Sequence, residues 1–348
     1  MLNLQFEPVF DIKKIEGRAP NMWRYREALP IQHDENILSF QEGFTPLIPL
    51  LFSGKEVLLK QDHLFPTGSY KDRGASVMIS KVREWGLNKV VEDSSGNAGS
   101  SVAAYCAKGD IDCQIYCPDS TSSGKLVQIE MYGAVLNKIP GTREDTSIAV
   151  LKAAEKTFYA SHIWNPFFFQ GTKTFAFEVC EQLGWAAPDT VVLPAGNGTL
   201  ILGAAIGFKE LAESGVIEKI PQFIAVQAEN CAPIYQAYVR KKGLNSRFQG
   251  EKTLAEGIAI SKPARGEQIL QVVHESQGEV ITVSEEEIRQ SLLSLSSKGY
   301  FIEPTSAAVT AGIDKYIQGL NKNEVIVSVI TGHGLKASGK IREIQKLY

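Results

Sequence analysis

Three features of the sequence predict an α/β fold made of two open parallel sheets, each covered by helices. Short β-branched or aromatic runs alternate with longer segments of helical spacing, the order expected of βαβ units. The chain has 348 residues, more than the roughly 150 of a typical single domain. It is 44% apolar and 22% charged, so a substantial core can be buried. Two domains are expected, one comprising residues 1–75 with 185–348 and a smaller, mobile one comprising 76–184.

The elements follow in order. Pro66 and Gly68 form a turn into a helix over 72–85, with Ser69 as a candidate N-cap. A strand at 89–91 is followed by the turn 94–99 and a helix over 100–108. Strands at 111–117, 134–139 and 158–163 alternate with helices over 125–131 and 145–156. A helix over 173–183 leads to a strand at 190–193, a glycine turn and a helix over 200–214. Strands at 222–227 and 324–330 and a helix over 285–297 complete the reading. Residues 240–253, rich in Lys, Gly, Asn and Ser, read as a linker. Thr190–Phe208 carries no charge, but Pro194-Ala195-Gly196-Asn197-Gly198-Thr199 would break a lipid-embedded helix, which excludes a membrane span there.

Composition excludes several functions. With 36 Lys+Arg against 39 Asp+Glu, a net charge of −3, the chain lacks the basic surplus of a nucleic-acid binder. Five cysteines, an odd number in a long chain, do not form a disulfide framework. Cys113 and Cys117 have no second close pair or nearby His to complete a metal site, so no metal is expected. No apolar h-region marks the N-terminus, which points to a cytoplasmic protein.

Four turns could carry chemistry. Lys71, in Pro66-Thr67-Gly68-Ser69-Tyr70-Lys71-Asp72-Arg73-Gly74, falls in the first turn of its helix. It reads either as an exposed lysine whose charge Asp72 offsets or as an amine nucleophile for a carbonyl. Ser94-Ser95-Gly96-Asn97-Ala98-Gly99 lies between a strand and a helix, where backbone amides can receive a carboxylate, although a plain loop fits too. Gly196-Asn197-Gly198-Thr199-Leu200 has the same setting. It matches neither GxxxxGK[ST] nor GxGxxG and better suits a lone phosphate monoester. Thr331, in Thr331-Gly332-His333-Gly334-Leu335-Lys336, sits at the carboxyl end of an apolar strand, where α/β proteins hold ligands. His333 alone does not read as a catalytic base.

Taken together, these segments resemble the fold-type II pyridoxal-phosphate enzymes, the architecture of the tryptophan synthase β-subunit, and most closely the threonine synthase branch. Trp23-Arg24-Tyr25-Arg26-Glu27 and Glu42-Gly43-Phe44-Thr45-Pro46-Leu47 are similar to that branch's N-terminal region, and the motifs fall in the family's order and spacing. The resemblance implies pyridoxal 5′-phosphate as cofactor, bound in the cleft between two domains, an amino-acid biosynthetic lyase, a small amino-acid substrate and a homodimer. Lys71 would form the Schiff base and shuttle protons, Asn97 would bond the ring's 3′-oxygen, and Gly196, Asn197, Gly198, Thr199 and Leu200 would hold the phosphate. Thr331 would face the pyridine nitrogen. A neutral hydroxyl there, instead of an Asp, implies an unprotonated ring and a weaker electron sink. Ser94, Ser95, Asn97 and Ala98 would clamp the substrate carboxylate.

Two departures from the family pattern bear on the substrate. In Asn165-Pro166-Phe167-Phe168-Phe169-Gln170-Gly171-Thr172-Lys173-Thr174, Phe168 stands where threonine synthases have an Arg for the substrate phosphate. That loss removes charge-assisted hydrogen bonds of about 1.5–3 kcal/mol each, which Lys173 would offset in part. Leu254-Ala255-Glu256-Gly257-Ile258-Ala259 is more similar to serine/threonine dehydratases and ammonia-lyases. Glu256 would then hold a substrate amine or the cofactor's oxygen side, or is simply a solvated helix-start carboxylate. Three functions follow: a threonine synthase with an altered phosphate site, a dehydratase, ammonia-lyase or β-replacement enzyme on a small non-phosphorylated amino acid, and a non-catalytic pyridoxal-phosphate carrier.

Overall fold

The computed structural model describes residues 4–121, 123–320 and 324–345. Its packing forms two compact units, the first holding the chain up to Gly43 with Phe65–Thr172, the second Phe44–Leu64 with the chain from Lys173 onward. The expected cut at 75/76 runs through the helix Lys71–Glu84, and that at 184/185 lies beyond the helix Thr174–Gln182. The helix Lys71–Glu84 packs within the first unit, where a Cβ on Gly171 would lie 1.9 Å from the Arg73 carbonyl oxygen. Such backbone-to-backbone contact keeps the helix on one side of the division.

The strands are β1 (Leu47–Phe52), β2 (Lys55–Lys60), β3 (Lys89–Glu92), β4 (Asp112–Pro118), β5 (Val135–Ile139), β6 (Phe158–Tyr159), β7 (Thr190–Pro194), β8 (Gln222–Ala228), β9 (Glu279–Val283) and β10 (Ile326–Val329). The first unit contains a sheet ordered β5-β4-β3-β6, in which every pair is parallel. The second contains a six-stranded sheet ordered β1-β2-β10-β7-β8-β9, parallel except for β1 with β2. Buried β7 and β8 are nearly continuous apolar runs, as strands covered on both faces must be. β1 and β2 form a hairpin whose two-residue loop, Ser53 (φ 46°) and Gly54 (φ 83°), has the positive dihedrals that match the twist of paired strands.

The seven strands and seven helices expected from sequence all occur, with ends shifted by a few residues. The exception is the strand expected at 158–163, which shortens to Phe158–Tyr159 because the chain turns away through Ser161. The hairpin β1–β2 was not expected. β1 carries Pro49 on an edge, and β2 mixes lysines and a glutamate with its apolar residues. The helix Pro304–Gln318 was missed as well, because its buried residues include Thr305, Ser306, Ala307, Ala308, Thr310 and Gly312 and leave no apolar stripe to read. All five cysteines are buried free thiols. Among the described residues no helix is long and apolar enough to cross a membrane, and Thr190–Phe208 forms β7, the glycine turn and most of the helix Thr199–Glu213.

Candidate active site

In the first unit, Lys71 opens its helix with Tyr70, not Ser69, as the N-cap. Ser69 Oγ is instead buried with no hydrogen-bond partner among the described residues. Asp72 does not offset Lys71 at the surface. Its buried carboxylate accepts from the Thr67 amide (2.8 Å), the Thr67 hydroxyl and the Ser101 hydroxyl. Burial pushes it up to about 6, against the pull of those donors. Asp72 thereby ties the turn before Lys71 to the helix Asn97–Lys108. Lys71 Nζ lies 4.7 Å from the Tyr70 ring centroid and 5.6 Å from that of Phe168. Phe168 is fully buried, and its ring fills the notch that Gly74 leaves, where a Cβ would come within 2.4 Å of ring carbons.

At the carboxyl end of β3 follow Glu92, Asp93 and the turn Ser94–Gly99. A Cβ on Gly99 would lie 1.8 Å from the Ser94 carbonyl oxygen, so the turn folds back too tightly for any other residue. Ser94 Oγ accepts from the Gly96 amide (3.3 Å). Asn97 is the first residue of the helix Asn97–Lys108, whose N-cap Gly96 supplies no side chain; the first-turn amides of such a helix have no intrahelical acceptors. Glu92 Oε1 is 2.7 Å from His162 Nδ1, and the Tyr159 hydroxyl donates to Asp93 (2.8 Å). Burial pushes Glu92 up to about 7 and Asp93 to about 6. Burial first and the charge of Lys71 second hold His162 well below the ordinary histidine range. The imidazole is therefore neutral, and its ring lies 6.0 Å from that of Phe168.

In the second unit, β7 ends in the glycine turn. Gly198 caps the helix Thr199–Glu213 at φ 85°, a left-handed conformation that favours glycine, and supplies no side-chain cap. The open end of this 15-residue helix thus presents amides and the positive end of its dipole. A Cβ on Gly196 would lie 3.1 Å from the Gly257 carbonyl oxygen, so the segment after Leu254 packs directly on the turn. Glu256 is exposed there, and the Gly257 amide donates to the Thr305 hydroxyl (3.2 Å). Thr331 follows β10, which pairs in parallel with β7. Its hydroxyl and the glycine turn therefore lie beyond the same ends of neighbouring strands, which are spaced about 5 Å apart.

Thr331 Oγ1 donates to Glu303 Oε1 (2.7 Å) and is 2.9 Å from Ser306 Oγ. Lys173 is fully buried and pairs with Glu210 at 2.8 Å; burial lowers the lysine and raises the carboxylate. His333 Nδ1 accepts from the Leu335 amide (3.2 Å), a cap within its own turn. Its ring is 5.7 Å from that of His63, which burial holds down near 4.

Each unit, taken by itself, offers groups suited to one part of a phosphorylated aldehyde, the second to its phosphate and the first to its carbonyl. A helix N-terminus free of side-chain caps takes a phosphate, and an orphaned buried hydroxyl at Ser69 sits two residues from a lysine amine. Sequence reasoning missed Glu92, His162, Glu303 and Ser306. A signal was present for Glu92, a carboxylate at a strand end beside a singled-out turn, but Glu303 heads a helix that carries no apolar stripe, and nothing in the sequence marked His162 or Ser306 as partners.

Residues 38–332 match the family described as pyridoxal-phosphate dependent enzyme. The chain is similar to the threonine synthase of Methanocaldococcus jannaschii, with 35% identity over 334 residues, 93% of this chain and 82% of that one. It is also 33% identical to the threonine synthase of Methanosarcina acetivorans over 337 residues, 94% and 82% of the two chains. Among solved structures it is similar in fold to a fungal L-serine ammonia-lyase from Rhizomucor miehei, with a TM-score of 0.74 at 21% identity over 87% of this chain and 98% of that one. The processed form of threonine deaminase isoform 2 from Solanum lycopersicum gives 0.73 at 22% identity over 88% and 84%.

Proposed function

This chain belongs to the pyridoxal-phosphate-dependent enzyme family, and from that premise we propose that it is a lyase of threonine synthase type, converting O-phosphohomoserine and water to threonine and phosphate. The observation that carries the reading is the placement of the glycine turn and Thr331 beyond the same ends of the paired strands β7 and β10, which supports one small phosphorylated ring held by both. The cofactor, when bound, supplies an electron sink for a carbanion at the substrate's Cα.

The chain's own groups do the rest. Lys71 Nζ is the amine that holds the cofactor's aldehyde and the base that holds or moves the proton at Cα. The rings of Tyr70 and Phe168 lie beside that amine. Gly196, Asn197, Gly198, Thr199 and Leu200 bind the phosphate through the open helix end. Asn97 orients the ring oxygen, and Ser94, Ser95, Asn97 and Ala98 bind the substrate carboxylate at the head of the helix Asn97–Lys108. The Asp72–Thr67–Ser101 cluster fixes the turn that carries Lys71 against that second helix.

A second reading, a dehydratase, ammonia-lyase or β-replacement enzyme on a small non-phosphorylated amino acid, is favoured by Phe168. The ring is fully buried in the Gly74 notch, so an apolar wall stands where an Arg would meet a substrate phosphate. Lys173, which would offset that loss, pairs with Glu210. Product identification separates the two readings. Threonine and phosphate from O-phosphohomoserine mark the first, and a 2-oxo acid with ammonia from serine or threonine marks the second. Borohydride reduction followed by peptide mapping is expected to place the cofactor on Lys71. Attachment elsewhere, or a visible absorbance unchanged in Lys71→Ala, would refute both.

A further inference from the structure

The hydrogen bonds around Thr331 fix which way its hydroxyl points. A hydroxyl has one proton to donate and two lone pairs. The proton of Thr331 Oγ1 goes to Glu303 Oε1 (2.7 Å). Ser306 Oγ accepts from the Thr331 amide (2.9 Å) and lies 2.9 Å from Thr331 Oγ1. Because the threonine proton is already used, the serine hydroxyl is the donor in that pair. The order is therefore Ser306 to Thr331 to Glu303, and one lone pair of Thr331 is left to offer. All three groups are buried, so no bulk water resets the order.

The position of Glu303 is built in. It is the N-cap of the helix Pro304–Gln318, where the helix dipole favours an acidic side chain. Its amide donates to the Gly332 carbonyl (3.0 Å), and Ile302 bridges His333. A Cβ on Gly332 would lie 2.4 Å from the Glu303 carboxyl carbon; the glycine beside Thr331 is what admits the carboxylate.

We infer that Glu303 is a positioning residue which, through Thr331, makes this chain select the protonated ring nitrogen of its cofactor. The inference rests on the proposed placement of Thr331 at that nitrogen. An unprotonated nitrogen would bring its lone pair against the lone pair of Thr331, whereas a protonated one donates to it and gains the Glu303 carboxylate behind it. The bare hydroxyl in the sequence implies a weak electron sink. The carboxylate one hydrogen bond further back reverses that expectation and suits a reaction needing carbanion stabilisation beyond Cα.

The test is 15N NMR of the holoenzyme loaded with pyridoxal 5′-phosphate labelled at the ring nitrogen. Wild type is expected to show the pyridinium signal at neutral pH. Glu303→Gln, which keeps an acceptor but removes the charge, is expected to move it to the unprotonated position. Gly332→Ala, which displaces the carboxyl without altering its chemistry, is expected to do the same and decides the matter should the glutamine variant fold poorly. A loaded wild type with an unprotonated nitrogen, or a pyridinium signal unmoved in both variants, overturns the inference alone. Failure of wild type to take up the cofactor overturns the proposed function with it.

Discussion

Replacing Glu92 with Gln is expected to remove a pH dependence of stability that can be sized from its surroundings. Glu92 is fully buried at the end of β3, bonded to His162 Nδ1 (2.7 Å) and to the Asp93 amide (2.8 Å). Burial raises it from 4.5 to about 7, and the Asp93 amide and the charges of Lys71 and Arg143 only partly oppose the rise. The folded chain thus holds this proton more tightly than the unfolded chain does. Between pH 4.5 and 7 the native state carries more protons, so stability falls as pH rises through that window and the whole penalty is present above it. The shift corresponds to about 3 kcal/mol at 1.36 kcal/mol per pH unit. Glutamine mimics the protonated acid and does not titrate. Glu92→Gln should match wild type near pH 4.5 and exceed it by about 3 kcal/mol at pH 8. Asp72 is also raised, but it titrates in both proteins and cancels in the difference; Asp93, which the Glu92 charge helps to raise, falls in the variant and adds to the difference in the same direction. Urea denaturation followed by tryptophan fluorescence suits the measurement, because Trp23, Trp85 and Trp164 lie in the first unit. Parallel pH profiles for the two proteins, or a glutamine variant less stable than wild type at pH 8, would refute the reasoning.

In the second unit, Lys60 and Glu178 form a fully buried ion pair at 2.7 Å. Glu178→Gln should cost about 3–5 kcal/mol by stranding the lysine, and Lys60→Met combined with Glu178→Leu should recover most of it in thermal melts. Gly171→Ala places a Cβ 1.9 Å from the Arg73 carbonyl oxygen; since backbone cannot give way, loss of the soluble, folded first unit is expected by circular dichroism. Gly198→Ala forces alanine into φ 85° with its Cβ 2.8 Å from Ile269 Cδ1. A cost of about 1–2 kcal/mol and a roughly tenfold weaker Kd for pyridoxal phosphate, equivalent to about 1.4 kcal/mol, should appear in fluorescence titration.

How far the sequence is legible follows from the range of the interactions. Local signals carried seven strands and seven helices, because apolar runs and glycine turns record their environment within a few residues; the parallel strands β2 and β9 were not among them. They also marked the Ser94–Gly99 and Gly196–Leu200 turns, whose glycines answer to backbone contacts and a positive φ. What stayed hidden depends on partners far along the chain. Ser69 read as a helix cap because Ser before a helix usually is one, yet the structure leaves its hydroxyl unpartnered and gives the cap position to Tyr70. Asp72 read as the counter-charge of Lys71 because it is adjacent, yet it turns inward to Ser101, 29 residues on. His162 meets Glu92 across 70 positions and Thr331 meets Glu303 across 28. These long-range pairs fix the hydrogen-bond partners of the groups around each turn, so a motif names the chemistry at a site while its surroundings come from distant parts of the chain. Phe168 shows the same principle in an apolar residue. The substitution is visible in sequence, but only the notch at Gly74 shows that the ring is built into the Lys71 helix, so that restoring an arginine there would leave a cavity and a buried charge beside an amine of the same sign.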